Sequence, residues 1–114
     1  MFTVTKYPHG TFCWADCSST DPKKSKDFYT AVMGWASNDL PIGEGQVYTM
    51  FQHDNLDVAA LGPQQGEMPS VWNSYISVDD VDALMGKVRS LGGTVVVEPF
   101  EVFDSGRMAV IQDP

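Results

Sequence analysis

The sequence contains one local pattern twice, and the two copies are 58 residues apart. In each copy a strand-like segment with a tryptophan leads into a helix that starts at an aspartate and stops at a glycine. The matching residues are Trp14, Asp21 and Gly34 in the first copy and Trp72, Asp79 and Gly92 in the second. Aspartate is favoured at a helix N-cap, and glycine readily adopts the left-handed conformation that ends a helix. A repeated unit of this kind predicts a fold built from two similar modules.

Each copy predicts the order strand, helix, strand, strand, strand. Alternating or β-branched runs predict strands at 10–19, 45–53, 57–62, 70–78, 94–100 and 106–112. Pro99 predicts that its strand ends there or has a free edge. We therefore expect one α+β domain over residues 1–114 (module one about 10–62, linker 63–70, module two about 71–114). No match to the last strand of module two precedes Pro114, so we expect either that the protein continues beyond this sequence or that a partner chain pairs with the open edge.

The apolar residues of the two predicted helices indicate which side packs. Phe28, Val32 and Trp35 recur at helical spacing, so we expect them to form the packing face of the first helix, with Tyr29 left open. The corresponding stripe of the second helix, capped by Asp79 or Asp80, is Val81, Leu84, Met85, Val88 and Leu91.

Charge and hydropathy exclude several classes of function. Fifteen acidic and seven basic residues give a net charge of −8, which argues against binding to nucleic acid or to anionic membranes. The acidity is compatible with a cationic ligand. Neither a long apolar segment nor a signal-peptide pattern is found, so we expect a cytoplasmic protein.

Four segments resemble the vicinal oxygen chelate superfamily, which comprises glyoxalases, bleomycin-resistance proteins and extradiol dioxygenases such as those acting on dihydroxybiphenyl. They are "DPKKSKDFYTAVMGW" (21–35), "WNSYISVDDVDA" (72–83), "GGTVVVEP" (92–99) and "GRMAVIQDP" (106–114). The resemblance is greatest to glyoxalase-like or hydroxylase-like members. It implies paired βαβββ modules in a curved mixed sheet with helices on the convex face, and it favours a homodimer.

The resemblance also implies where a metal would bind. Metal-dependent members take His, Glu or Gln ligands from the first and last strands of each module. Here those places fall on or beside Trp14, near Ala60 and on Asn73, and the fourth lies beyond Pro114. No visible place carries a metal-binding residue of those types, and His9 and His53 are expected in loops. We therefore predict no metal site and no cofactor.

Strand alternation predicts a ligand-binding face lined with aromatic, amide and hydroxyl groups. The candidate ligand-binding residues are Phe12, Trp14, Asp16, Tyr48, Met50, Asn73 and Tyr75. Such a surface suits a planar or amphipathic small molecule. The alternative is that these side chains only pack against one another on the concave face of the sheet and bind nothing. Asp16 could act as a general acid or base, or could be a hydrogen-bonded residue near the strand end.

Two further features leave alternatives open. Arg107 could bind a ligand carboxylate or neutralise Glu98, Glu101 or Asp104. Cys13 and Cys17, four residues apart on a strand, are too far apart for a disulfide.

The sequence thus favours a metal-independent small-molecule-binding protein with an aromatic-lined cleft. The alternative is a glyoxalase-type lyase, isomerase or dioxygenase that holds a divalent metal through a further strand or a partner chain.

Overall fold

A computed structural model describes residues 3–102 and 106–114 of the chain. Over these residues the fold is α+β, as predicted, with two helices and seven strands. In chain order the elements are β1 (Thr11–Ser19), α1 (Pro22–Met33), β2 (Ala36–Gly43), β3 (Gln46–His53), β4 (Leu56–Pro63), β5 (Val71–Ser77), α2 (Val81–Ser90), β6 (Thr94–Val102) and β7 (Gly106–Gln112).

The described chain divides into two compact units. The first unit contains residues 3–7 and 11–77, and the second contains residues 8–10, 78–102 and 106–114. The first unit therefore holds α1 and strands β1 to β5, whereas the second holds α2 and the hairpin of β6 and β7. Strand β5, which the repeat assigns to module two, pairs antiparallel with β1.

The sheet of the first unit has the strand order β2-β3-β4-β1-β5. Strands β1 and β4 run parallel, and the remaining neighbours are antiparallel. The turn between β3 and β4 is made by Asp54 and Asn55, whose φ angles are 50° and 64°. A two-residue hairpin turn with positive φ at both positions matches the twist of its strands, and Asp and Asn tolerate that conformation. The predicted strands at 45–53 and 57–62 are therefore confirmed, and this turn joins them in a hairpin.

Helix α1 begins and ends at the predicted residues. The Asp21 carboxylate accepts a hydrogen bond from the Lys24 amide at 3.2 Å, and Pro22 occupies the first turn. Gly34 closes the helix with φ at 69°, and its amide donates to the Thr30 carbonyl at 3.1 Å.

The side of α1 that packs differs from the predicted one. The core of the first unit consists of Cys17, Phe51, Ala59 and Leu61, against which Tyr29, Trp35 and Val58 pack. Phe28 and Val32 are 57% and 61% exposed, so their assignment to the packing face was wrong. Tyr29 packs instead because its hydroxyl is satisfied there, accepting a hydrogen bond from the Trp72 indole at 3.0 Å. Its ring centroid lies 5.3 Å from that of Trp72 and 6.2 Å from that of Phe51.

In the second unit, Asp80 rather than Asp79 caps α2, accepting from the Ala83 amide at 3.1 Å. Met85 is buried, as the predicted stripe requires. Leu91 is 70% exposed, which contradicts its place in that stripe, because the helix has already ended at Ser90.

The β6–β7 hairpin passes through Pro99 without ending there. Strand β6 continues to Val102, and its register with β7 shifts between Val97 and Phe100. A proline that cannot donate to the ladder is accommodated at such an irregularity. Of the two predicted alternatives, the strand end at Pro99 is wrong, whereas the free edge is confirmed, because β6 pairs only with β7 among the described residues.

Arg107 of β7 could bind a ligand carboxylate or neutralise nearby acids, and in the structure it is paired with acidic side chains of the chain itself. Its Nε and Nη2 atoms donate to the two oxygens of Asp82 at 2.6 and 2.9 Å, and Nη1 lies 3.4 Å from Glu101. This fork lowers the pKa of Asp82, first through the hydrogen bonds and then through the opposite charge. Glu98 pairs with Arg89 instead, and Asp104 lies outside the described residues.

The remaining predictions concern thiols, histidines and membrane spans. Cys13 and Cys17 are both free thiols, as expected. His9 accepts a hydrogen bond from the Asp79 amide, and His53 lies 3.4 Å from the Asp54 carboxylate. Among the described residues, neither helix is long and apolar enough to span a bilayer.

Candidate functional site

The two faces of the five-stranded sheet carry different side chains. Helix α1 covers the face with Cys17, Phe51 and Leu61. The opposite face, here called the Asp16 face, carries Trp14, Asp16, Ser18, Tyr48, Met50, Ala60, Gly62, Asn73 and Tyr75. Its centre is a row across three strands, because Asp16 of β1 lies opposite both Ala60 of β4 and Asn73 of β5.

Asp16 accepts three side-chain hydrogen bonds on this face. The Tyr75 and Tyr48 hydroxyls donate to Oδ2 at 2.7 and 3.2 Å, and the Asn73 amide donates to Oδ1 at 2.9 Å. Asp16 is only 8% exposed, whereas both tyrosines and Asn73 are half-buried and reachable from solvent. The arrangement is therefore a buried carboxylate held by neutral donors within an aromatic surface.

The hydroxyls of Tyr48 and Tyr75 both have raised pKa values. Burial, followed by the charge of Asp16, raises the pKa of Tyr48 from 10.0 to about 12. Burial, followed by the hydrogen bond to Asp16, raises the pKa of Tyr75 even further. The nearby Trp14 side chain acts in the opposite direction and lowers the pKa of Tyr48. Both phenols consequently remain protonated at neutral pH and present O–H groups to the carboxylate.

Two small residues that sequence reasoning did not single out support the network. The Asn73 amide also donates to the Ser18 hydroxyl at 3.0 Å, which holds the amide between two acceptors. At Gly62, an added Cβ would lie 3.3 Å from Cδ1 of Tyr48, so the bare backbone lets this ring lie across β4 toward Asp16. Strand alternation could have identified both residues as members of this face. Ser18 lies two residues after Asp16 in β1, and Gly62 lies two residues after Ala60 in β4.

Phe12 does not lie on the Asp16 face, contrary to its predicted inward orientation. The register of β1 with β5 shifts between Phe12 and Trp14, so Phe12 pairs with Ile76 while Trp14 pairs with Tyr75. Neighbouring residues of β5 point to opposite faces, which places Phe12 on the other side of the sheet, where it is 71% exposed. One extra residue at the bulge, Cys13, causes this inversion.

Met50 lies on the predicted face, in register with Ala60, and is half-buried.

A cavity of about 320 Å³ lies elsewhere in the first unit, at the amino end of α1, where Ser19, Lys24, Ser25 and Ser70 contribute to its wall. None of its lining residues belongs to the Asp16 hydrogen-bond network. The structure thus joins four of the seven predicted residues, Asp16, Tyr48, Asn73 and Tyr75, in one hydrogen-bond network, and it places Trp14 and Met50 on the same face.

The row at Asp16 does not fit a divalent metal. Asp16, rather than Trp14, is the first-strand residue in line with Ala60 and Asn73, which adds one carboxylate to the donors expected from sequence. Ala60 offers no ligand atom, and the Asn73 amide nitrogen is directed at Asp16. Among the residues that the structure describes, no three His, Cys, Asp or Glu side chains form a cluster that could hold an ion. Divalent ions in proteins need several oxygen, nitrogen or sulfur ligands at once.

Comparison with known proteins identifies the family. Residues 14–114 match the family model of the "Glyoxalase/Bleomycin resistance protein/Dioxygenase superfamily". The chain belongs to this superfamily. The match covers both units and agrees with the resemblance inferred from the helix and strand motifs.

Curated relatives from this superfamily are about twice as long as the chain. It is 43% identical to "Putative glyoxylase CFP32" of Mycobacterium tuberculosis over 96% of its own length and 44% of the relative's. It is 35% identical to "Anthracycline biosynthesis protein DnrV" of Streptomyces peucetius over 97% of its own length and 46% of the relative's. The chain therefore spans about half the length of the curated relatives it matches.

Proposed function

We propose that this glyoxalase-superfamily domain binds a planar or amphipathic small molecule on the Asp16 face and does so without a divalent metal. The observation that carries the proposal is the buried Asp16 carboxylate, held by Tyr48, Tyr75 and Asn73. Aromatic rings offer a ligand large contact areas at little conformational cost, and a few directed polar groups can fix its orientation. The lack of ligand atoms at Ala60 supports the metal-independent form.

Tryptophan fluorescence tests this proposal because the tryptophans of the first unit lie on different faces. Trp14 pairs with Tyr75 on the Asp16 face, whereas Trp72 contacts Tyr29 on the α1 side. Fused-ring aromatic compounds added to chelator-treated protein should quench the emission saturably. The quenching should be lost in Trp14→Phe and kept in the matched control Trp72→Phe. A broad panel that produces neither quenching nor a thermal shift would refute the proposal.

The second candidate is a glyoxalase-type metal-dependent enzyme. The printed names of the relatives favour it, because one is called a glyoxylase and the other a biosynthesis protein. In that case the metal ligands would come from a further strand or a partner chain, and a homodimer would be the simplest source. Elemental analysis of the purified protein separates the two candidates. One equivalent of a divalent metal per active site would favour the enzyme, and a metal-free protein that still binds aromatic compounds would favour the first candidate.

A further inference from the structure

The charge on Asp16 has no countercharge within the described chain. Its three hydrogen-bond donors, Tyr48, Asn73 and Tyr75, are all neutral at neutral pH. The ion pairs found among residues 3–102 and 106–114 all involve other carboxylates, such as Lys23 with Asp27 and Lys26 with Asp39. A carboxylate that is 8% exposed and paired only with neutral dipoles carries an unbalanced negative charge at the centre of this face.

The rings around this charge have the chemistry that binds cations. Tyr75 and Tyr48 touch the carboxylate through their hydroxyls, and Trp14 lies opposite Tyr75 in the register of β1 and β5. The faces of tryptophan and tyrosine rings attract cations, and the attraction is strengthened when water is removed. An acid flanked by three such rings would stabilise a positively charged group from several directions.

The same face is poorly suited to an anion. None of the residues that define the Asp16 face is basic, so a ligand carboxylate or phosphate would meet the Asp16 charge without compensation. The whole chain carries 15 acidic against seven basic residues, and this field attracts cations and repels anions at longer range.

We infer that the Asp16 face is specific for planar aromatic cations, with Asp16 as their counter-ion and Trp14, Tyr48 and Tyr75 as the stacking surface. This inference rests on the proposed function, since it names the ligand class of the same site. A fused ring bearing a fixed or protonated nitrogen combines the two features that the site recognises, a flat apolar surface and a positive charge.

Isothermal titration with three probes of one shape tests the inference. The probes are N-methylquinolinium, which is cationic, quinoline, which is neutral at neutral pH, and quinoline-3-carboxylate, which is anionic. The cation should bind about tenfold more tightly than quinoline, and the anion more weakly than either. Equal affinities for the cation and quinoline would overturn the charge preference while the proposed binding function stood. Binding of none of the planar probes would refute both.

Matched variants assign the preference to one residue. Asp16→Asn keeps the shape and removes the charge, so it should abolish the preference for N-methylquinolinium over quinoline. Asp27→Asn removes one negative charge from exposed α1 and should keep the preference. A preference that survives Asp16→Asn, or that is lost equally in Asp27→Asn, would overturn the inference. Should Asp16→Asn fail to fold, as judged by near-ultraviolet circular dichroism, the comparison of the three probes on the unmodified chain decides by itself.

Discussion

The hydrogen bond from Tyr75 to Asp16 gives a sharp test of the network, through the substitution Tyr75→Phe. The bond is 2.7 Å long and ends on a carboxylate that is 8% exposed. Hydrogen bonds to charged groups contribute about 1.5–3 kcal/mol, and short ones to buried partners lie in the upper part of that range. Asp16 would keep the donors Tyr48 and Asn73 after the substitution, which limits the loss. We therefore expect the free energy of unfolding to fall by about 2 kcal/mol.

The measurement is urea unfolding followed by circular dichroism, with Tyr7→Phe as the control because Tyr7 is an exposed residue of the same unit. A loss of about 2 kcal/mol should also lower the melting temperature by about 10 °C. In the Asp16→Asn background the same substitution should cost at least about 1 kcal/mol less, since the charged partner is gone. A cost for Tyr75→Phe no larger than that of Tyr7→Phe, or an unchanged cost in the Asp16→Asn background, would refute the reasoning.

Three further predictions concern single residues. The pKa of Tyr48 is about 12 in the fold against an ordinary 10.0, so its contribution to stability should be complete below about pH 10 and should be lost as the pH rises toward 12. Unfolding free energies of the unmodified chain and Tyr48→Phe should converge over that window, and parallel curves would contradict the prediction. Gly93→Ala should cost about 1–3 kcal/mol, because its Cβ would lie 2.9 Å from a methyl carbon of Val88 and 3.2 Å from the Val88 carbonyl oxygen. Gly86→Ala, inside helix α2 and with open space around it, should instead stabilise by about 0.5–1 kcal/mol, and thermal melts with the opposite order would contradict both expectations. Asp21→Ala should lower the unfolding free energy by about 1 kcal/mol through loss of the N-cap, whereas Asp21→Asn, measured in the same urea titration, should cost little.

Local signals predicted both helices and six of the seven described strands, but not β2 (Ala36–Gly43). Asp21 and Gly34 fixed the ends of α1 because capping depends on only a few neighbouring residues. The face of that helix was harder to predict from spacing alone. Phe28 and Tyr29 are adjacent and both aromatic, and the choice between them depends on Trp72, which is 43 residues further along the chain. A hydroxyl that looked unsuited to a packing face is accommodated by the Trp72 indole.

The candidate site was predicted in composition but not in connectivity. Alternation placed Asp16, Asn73 and Tyr75 on one face, since each lies in a regular part of its strand. Alternation could not show that both tyrosines and the amide converge on a single carboxylate, because that depends on the register between strands. Nor could it detect the shift next to Phe12, because a bulge leaves no mark on apolar periodicity when both neighbours are aromatic.

The bulge at Cys13 also separates β1 into two segments with opposite phase. Beyond it, even-numbered positions such as Trp14 and Asp16 belong to the proposed ligand surface, whereas before it Phe12 belongs to the reverse side. Removing one residue here would exchange the sides of everything that precedes it, without altering the chemical character of any remaining side chain. An insertion or deletion in β1 would therefore change which side chains face a ligand. A comparison of related sequences that considers only substitutions would miss this change.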